Sequence, residues 1–457
     1  VLSAGAAAGC LRQEKQASLR LLPGPSVSVP DNFIGLGYEM SSAAQLGLLS
    51  AENTKYLQLV RTLGAHGVLR FGGITADFTT YAPDGPVRTD PKDIVVSQAS
   101  LEQLRGFLDA TGWTALYSLN FGRGILDEAV VEARAVQSIL GPRLEAIELG
   151  NEVENYRYGD HPLRQAPWDF ANYLAEYRAW RRAILAAVPG LRFAAPDTAA
   201  SVEWVEAMAA EARGEVQLLT THFYLGDQRS ATLAQLIERD PQLASKLERL
   251  SRISRDSRIP WRMCETNSFF GGGHPGLSDT FAASLWTLDY LLLLAQHGCA
   301  GVNLQTGVNH LGFVSSYSPI RTNGNEVDVG APYYGMLAFA AARAVGAEML
   351  SIEIAGSTSE LTAYAIGKEG QLRSIVLLNW SEVNPISVSL PGLGLQSAQV
   401  LRLKAPSLAS KEGVRFGGGV VDARGRWSPA GEERLQSDSL ALPPASAVVL
   451  RQPREQN

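Results

Sequence analysis

The residues best placed to do chemistry are two glutamates that each close an apolar run. Glu152 ends Ile147-Glu148-Leu149-Gly150-Asn151-Glu152, and Glu265 ends Trp261-Arg262-Met263-Cys264-Glu265. Carboxylates are rarely buried without compensation. One glutamate at a strand end is most simply a loop cap or a member of an ion pair. Two of them, one preceded by an asparagine, form a more specific coincidence. Two carboxyls ~5–5.5 Å apart are the geometry of glycoside cleavage with retention, and a wider gap that admits water gives inversion. One carboxyl must hold a proton while the other is ionised, which different surroundings can arrange.

Other polar groups fall at comparable places: Glu39, Arg70 with Asp77 shortly after it, Asn120, Asp197, His222-Phe223-Tyr224 and Gln305. Arg70 beside Glu265 would hold a nucleophile as an anion. Asn151 could bond a sugar 2-hydroxyl, a contact that strengthens in the transition state.

These groups need a scaffold that gathers strand ends. Eight strand-like apolar runs recur, at residues 33–40, 66–73, 114–121, 144–152, 192–198, 217–225, 259–267 and 299–306. Continuous rather than alternating apolar runs suit strands buried on both faces of a parallel sheet. Helical stretches lie between many of them, at 43–63, 101–110, 168–187, 233–252 and 279–297, the last capped by Ser278-Asp279 and stopped by Gly298. The spacing predicts an α/β fold, a (β/α)8 TIM barrel over residues 31–345, whose C-terminal strand ends carry the chemistry. Glu152 and Glu265 then close strands four and seven and face each other across the mouth. After Gly346 the runs 374–380, 386–390, 399–403 and 445–450 are short and β-rich, and they predict a C-terminal antiparallel β-sandwich domain over 346–457. The stretches 17–22 and 26–29, within an N-terminal segment 17–30, have no barrel role and are expected to pair with that domain.

Composition narrows the field. The chain has 457 residues and a net charge of −6, which disfavours nucleic acid as a partner. Apolar runs such as 291–295 fall far short of the ~18–20 residues that span a bilayer. Cys10, Cys264 and Cys299 cannot form a disulfide framework, and the last two read as small buried hydrophobes. Ala7-Ala8-Gly9-Cys10 resembles a bacterial lipoprotein box, so residues 1–16 read as a residual export or flexible segment. The expectation is a periplasmic, secreted or, through Cys10, lipid-anchored protein of bacterial type. The histidines at 66, 161, 222, 274, 297 and 310 lack metal-ligand spacing, and no serine-hydrolase elbow, phosphate loop or dinucleotide fingerprint occurs. No metal or cofactor is expected. The basic residues between Arg239 and Arg262 alternate with Glu and Asp and read as a solvated helix face.

The pattern of Asn-Glu ending strand four and Glu ending strand seven resembles a clan of retaining glycoside hydrolases. Glu265-Thr266-Asn267-Ser268-Phe269-Phe270-Gly271-Gly272-Gly273, with Leu277-Ser278-Asp279-Thr280-Phe281-Ala282-Ala283, is similar to glycoside hydrolase family 79, which holds the heparanases and microbial β-glucuronidases. Leu69-Arg70-Phe71-Gly72-Gly73, Asp77-Phe78, Leu149-Gly150-Asn151-Glu152, His222, Tyr224 and Gln305 extend the resemblance along the chain. It implies Glu152 as general acid/base, Glu265 as nucleophile, and Asp77 and Asn151 as sugar ligands. It also implies that the amides of Gly271 and Gly272 donate to a uronate carboxylate, with Glu39, Arg70, His222, Tyr224, Phe270 and Gln305 around the sugar. Two departures stand out. Phe270 occupies the place of a tyrosine five residues after the nucleophile, and no tyrosine is evident in 306–313, where His310 or Tyr317 could substitute. The expected activity is removal of terminal β-linked glucuronic acid from a small glycoside or oligosaccharide. A neutral β-glycoside, endo cleavage of a heparan-type chain, or carbohydrate binding without turnover are the alternatives.

Overall fold

A computed structural model describes residues 15–85, 94–123, 125–159, 162–307, 315–323, 326–356 and 359–453. Cys10, His161 and His310 lie outside the described residues, as do residues 308–314 after the last barrel strand.

Eight parallel strands close into a barrel: Ile34–Glu39, Val68–Gly72, Thr114–Leu119, Leu144–Leu149, Phe193–Thr198, Leu218–Asp227, Trp261–Phe270 and Val302–Gln305. The ring shuts where the first strand pairs with the eighth, Gly37 opposite Gln305. Each strand matches one of the apolar runs, and strands six and seven continue to Asp227 and Phe270. Strand residues alternate sides, so every second side chain enters the barrel. Val68, Leu116, Ala146 and Ala194 form an apolar layer there, with Leu218 packed against it. Two residues further along their strands come Arg70 and Glu148, which therefore stand above that layer, toward the mouth. Gly72 makes room for Arg70, because a Cβ at that position would lie 2.0 Å from the guanidinium carbon.

Two helices depart from the sequence reading. The stretch 43–63 is not one helix: a short turn of helix, Met40–Ala43, is followed by loop, and Thr54–Thr62 starts only where Asn53 accepts the Tyr56 amide. The stretch 233–252 is likewise two helices, Leu233–Ile237 and Pro241–Ser257, because Asp240-Pro241 supplies a new cap and a first helical turn. Helix Phe281–Gln296 takes Thr280 as its N-cap instead of Ser278-Asp279, and Gly298 follows it with φ +71°. Gln98–Thr111 and Phe170–Ala187 begin at side-chain caps from Ser97 and Asp169.

Beyond helix Ala331–Ala342 lies a strand-rich domain of two sheets. The seven-stranded sheet includes Val27–Ser28, Leu361–Lys368, Gln371–Asn379 and Ser446–Arg451. In the four-stranded sheet Lys15–Leu21 lies between Ile352–Ala355, which it pairs antiparallel, and Ile386–Ser389, which it pairs parallel. Leu19, Ile386 and Val388 from this sheet share a core with Ile375, Leu377 and Val448 from the other. The opposite face of the larger sheet, with Tyr364, Val376 and Val449, belongs to the same apolar cluster as the barrel. Among the described residues no helix is long and apolar enough to cross a membrane.

Candidate active site

The strand ends meet at a cleft of about 1190 Å³ at the barrel mouth. Arg70 is its hub. The guanidinium is fully buried and donates from Nε to Glu148 (2.9 Å), from Nη1 to Glu265 (2.7 Å), and from Nη2 to Asn151 (3.0 Å) and Asp197 (2.5 Å). Burial opposes its charge, but the surrounding acids, Asp197 and Glu148 foremost, hold it firmly protonated. The other oxygen of Glu265 accepts the Tyr224 hydroxyl at 2.9 Å. Both Glu265 oxygens are thus fixed by donors from strands two and six.

Glu152 stands opposite. It has left-handed backbone dihedrals (φ 49°, ψ 48°), and its amide donates to the Asp197 carbonyl at 2.8 Å. Left-handed geometry in a glutamate is uncommon and turns the side chain off the strand path. Asp197, also with positive φ at +61°, is the penultimate residue of strand five. Between the two carboxylates sits the buried His222 ring, Nδ1 3.2 Å from Glu152 and Nε2 3.0 Å from Asp197. Burial pushes His222 toward neutrality, but Asp197 and Glu265 outweigh it and hold the imidazole charged. Asp197 is shifted the other way: burial raises it, yet Arg70 and His222 keep it well below the usual carboxylate range. For Glu152, burial again raises and the hydrogen bond and charge of His222 more than offset it, leaving the carboxyl below its ordinary value. One carboxylate oxygen of Glu152 and one of Glu265 lie within 4.8 Å of each other and of a His222 nitrogen.

The remaining residues singled out in the sequence sort into two groups. Asn151, Glu39, Gln305, Phe270, Gly271 and Gly272 line the cleft with the two glutamates and Tyr224. Arg70 and His222 lie behind them as described. Asp77 is buried, and its Oδ1 accepts the Tyr156 hydroxyl (2.6 Å) and the Gly122 amide (3.0 Å). Burial lifts its pKa to about 7. Glu39 is also lifted to about 7, by burial and then by the charge of Glu265, while Thr75 holds one of its oxygens. The Gln305 Oε1 is buried without a partner among the described residues. Gly271 and Gly272 have φ +83° and +100°, and neither amide donates to another described residue. Phe270 is 47 % exposed and meets Tyr224 edge-on at 6.3 Å.

Several members of the site were not picked out from the sequence for these roles. Glu148 and the thiol of Cys264, which donates to Asp197 at 2.9 Å, belong to the Arg70 network. Cys264 directly precedes Glu265, and Glu148 lies four residues before Glu152, where the inward alternation from Ala146 was its signal. Tyr317, which the sequence offered beside His310 as a substitute for the missing tyrosine, does line the cleft, stacked on Tyr224 at 6.3 Å between centroids. Lys246 and Arg249 also line it, which corrects the reading of their helix as a solvated face. The helix Pro241–Ser257 lies over strand six and turns these two residues toward the mouth.

No protein-family model matches the chain. A β-glucuronidase from Aspergillus niger is 26% identical to it over 409 residues, which cover 79% of this chain and 75% of that one. Among solved structures, a 4-O-α-L-rhamnosyl-β-D-glucuronidase from Fusarium oxysporum is similar with a TM-score of 0.78 at 20% identity, covering 96% of this chain and all of the other. A GH51 arabinofuranosidase from Xanthomonas axonopodis is similar with a TM-score of 0.67 at 15% identity. With a barrel of this kind and such relatives, the chain is a glycoside hydrolase.

Proposed function

We propose that the protein is a retaining exo-β-glycosidase that removes terminal β-linked glucuronic acid, as the resemblance to glycoside hydrolase family 79 implies. The observation that carries the retaining mechanism is the approach of the Glu152 and Glu265 oxygens to within 4.8 Å. Oxygens this close suit direct attack by one carboxylate, whereas inverting enzymes hold the two carboxyl groups ~6.5–9.5 Å apart to admit water. In the first step Glu265 bonds to the anomeric carbon, the glycosidic bond breaks, and the leaving oxygen takes a proton from Glu152. In the second, Glu152 accepts a proton from water, the water oxygen bonds to the anomeric carbon, and the bond to Glu265 breaks. Arg70 and Tyr224 aim Glu265 in both steps. The Asn151 Oδ1 is occupied by Arg70, and its Nδ2, which has no partner among the described residues, is left to donate to the sugar 2-hydroxyl.

The glucuronate reading is supported by the relatives' activity and by the amides of Gly271 and Gly272 at the cleft, which have no partner among the described residues. Successive N–H groups in a turn, as at Gly271 and Gly272, form a concave row that accepts an anion without a cation. At Gly271 a Cβ would be strained at this φ and would meet Gln228 at 2.6 Å. The Tyr317 phenol beside Tyr224 stands where a hydroxyl donor absent from Phe270 could be supplied.

The test combines substrate and variant. Aryl β-glucuronide, β-glucoside, β-xyloside and β-galactoside are compared by kcat/KM, and the anomer first released is read by NMR. The expected result is a preference for glucuronide and a β-configured product. Glu265→Ala should bring turnover to background, with azide partly rescuing it to an α-glycosyl azide. Glu152→Gln should slow an unactivated substrate roughly 10²–10⁴-fold. Near wild-type rates in both variants would remove the assignment. A glucoside preference would move the substrate to a neutral sugar and leave the mechanism in place.

A further inference from the structure

The cleft continues well past the reacting pair. On the side of strands seven, eight and one it is lined by Gly271, Gly272, Gln305 and Glu39, and on the side of strands four to six by Asn155, Ala199, Phe223, Leu225 and Lys246. If the sugar that reacts occupies the first side, Glu152 hands its proton across to a group on the second. The second side is therefore where the aglycone lies.

Its charges are mostly committed. Glu203 is engaged by Arg249, which also holds Glu206 at 2.5 Å. Asp240 accepts the Gln242 amide at 2.8 Å while capping its helix. Lys246 differs. Its ammonium donates to the His222 carbonyl at 2.7 Å and lies 5.8 Å from the centre of the Phe223 ring, and among the described residues no carboxylate comes within salt-bridge distance. One bond to a carbonyl leaves two of its three N–H donors unused. Burial lowers its pKa to about 8, so an incoming anion would recover solvation that the fold has removed.

We propose that this side of the cleft is a binding site for an aglycone bearing one anionic group, a carboxylate or sulfate, read by Lys246, with the body of the aglycone against Phe223 and Leu225. The inference rests on the glycosidase reading for its placement of the aglycone. One isolated ammonium flanked by committed acids suits a single anionic group and not a polyanion, whose many charges would meet Glu203 and Asp240 as well.

The experiment uses the full-length enzyme and matched aglycones in two arms. One arm compares 4-carboxyphenyl with 4-carbamoylphenyl β-glucuronide. The other compares glucuronosyl-β-glucosamine with and without a 6-sulfate. Ratios of kcat/KM, and ratios of Kd for the S-linked analogues that need no turnover, are measured in wild type, Lys246→Met and Lys246→Arg. Because each ratio is compared between proteins, leaving-group reactivity and any general loss from disturbing His222 cancel. In at least one arm the charged-over-neutral ratio should fall about tenfold in Lys246→Met, as loss of a hydrogen bond to a charged group implies, and largely survive in Lys246→Arg. The arm that responds identifies an aryl acid or a sulfated sugar as the source of the anion. Ratios unchanged by Lys246→Met in both arms would overturn the proposal. If glucuronides are not turned over, the S-linked ratios and the corresponding glucoside pairs still decide it, so failure of the glucuronidase reading is seen separately.

Discussion

His222 makes one imidazole serve two carboxylates of opposite duty. Asp197 keeps it charged and oriented, and Glu152 feels that charge. The first chemical step needs the proton on Glu152, so activity is lost as pH rises through the pKa of that carboxyl. A carboxyl held below its ordinary value by the imidazolium places this loss at acidic pH. His222→Gln keeps a hydrogen-bonding group but removes the charge, so burial becomes the dominant influence and the Glu152 pKa rises. The alkaline limb of the kcat/KM profile for an unactivated substrate should then move upward in pH, while kcat falls because Glu152 is less well held. A limb that stays in place or moves down would mean that His222 does not set the proton affinity of Glu152. Arg70 is a different kind of residue. It touches Glu265, Asn151, Asp197 and Glu148 together, and its loss would leave several buried acids unbalanced at once.

At the level of elements, the barrel strands were legible because each holds a mostly apolar run, and Glu152 and Glu265 stand out at the ends of two such runs, although strand four stops at Leu149 and strand seven continues to Phe270. The helices were less legible. Residues 43–63 and 233–252 carry apolar residues at helical spacing throughout, and only local caps at Asn53 and Asp240 break them. The site was readable where a polar residue interrupts an apolar strand and obscure where the contributor arrives from a loop or helix. Tyr317 comes from the chain after strand eight, where it stood as one of two candidates with His310, and Lys246 from a helix whose alternating charges look like ordinary surface. Distance along the chain also hides Lys15–Leu21, whose partners follow the whole barrel. Leu19 on this strand is 1% exposed, in the core between the two sheets. Leu19→Ala should cost about 2–5 kcal/mol of stability, read by chemical denaturation of the strand-rich domain, with kcat/KM at 25 °C little changed. An undiminished midpoint would show that the strand contributes little to that core.

For the molecule as a whole, buried acids set how stability responds to pH. Asp77 and Glu132 are raised to about 7, burial being the chief cause, and Glu39 and Glu148 move the same way. In the unfolded chain such groups release their protons near pH 4. Between about pH 4 and 7 the native state therefore holds more protons than the unfolded one, and stability falls as pH rises through that window. His222, raised in the native state, extends the decline to higher pH, whereas the depressed Asp197 weakens the fold only below the usual carboxylate range. Tm should thus be higher at pH 5 than at pH 8, by about several degrees. A Tm that climbs toward pH 8 would contradict this distribution of buried acids.

The seat of Lys15–Leu21 in the four-stranded sheet also has a meaning in time. Arg20 and its partner Glu353 are separated by 333 residues. A ribosome adding ~5–20 residues per second needs roughly 20 to 70 s to make that interval. For all of it the strand Lys15–Leu21 waits without the neighbours that will flank it, offering two open edges to any other nascent chain. The strand-rich domain is closed only after the barrel has been made, so the protein's most vulnerable period falls during its own translation.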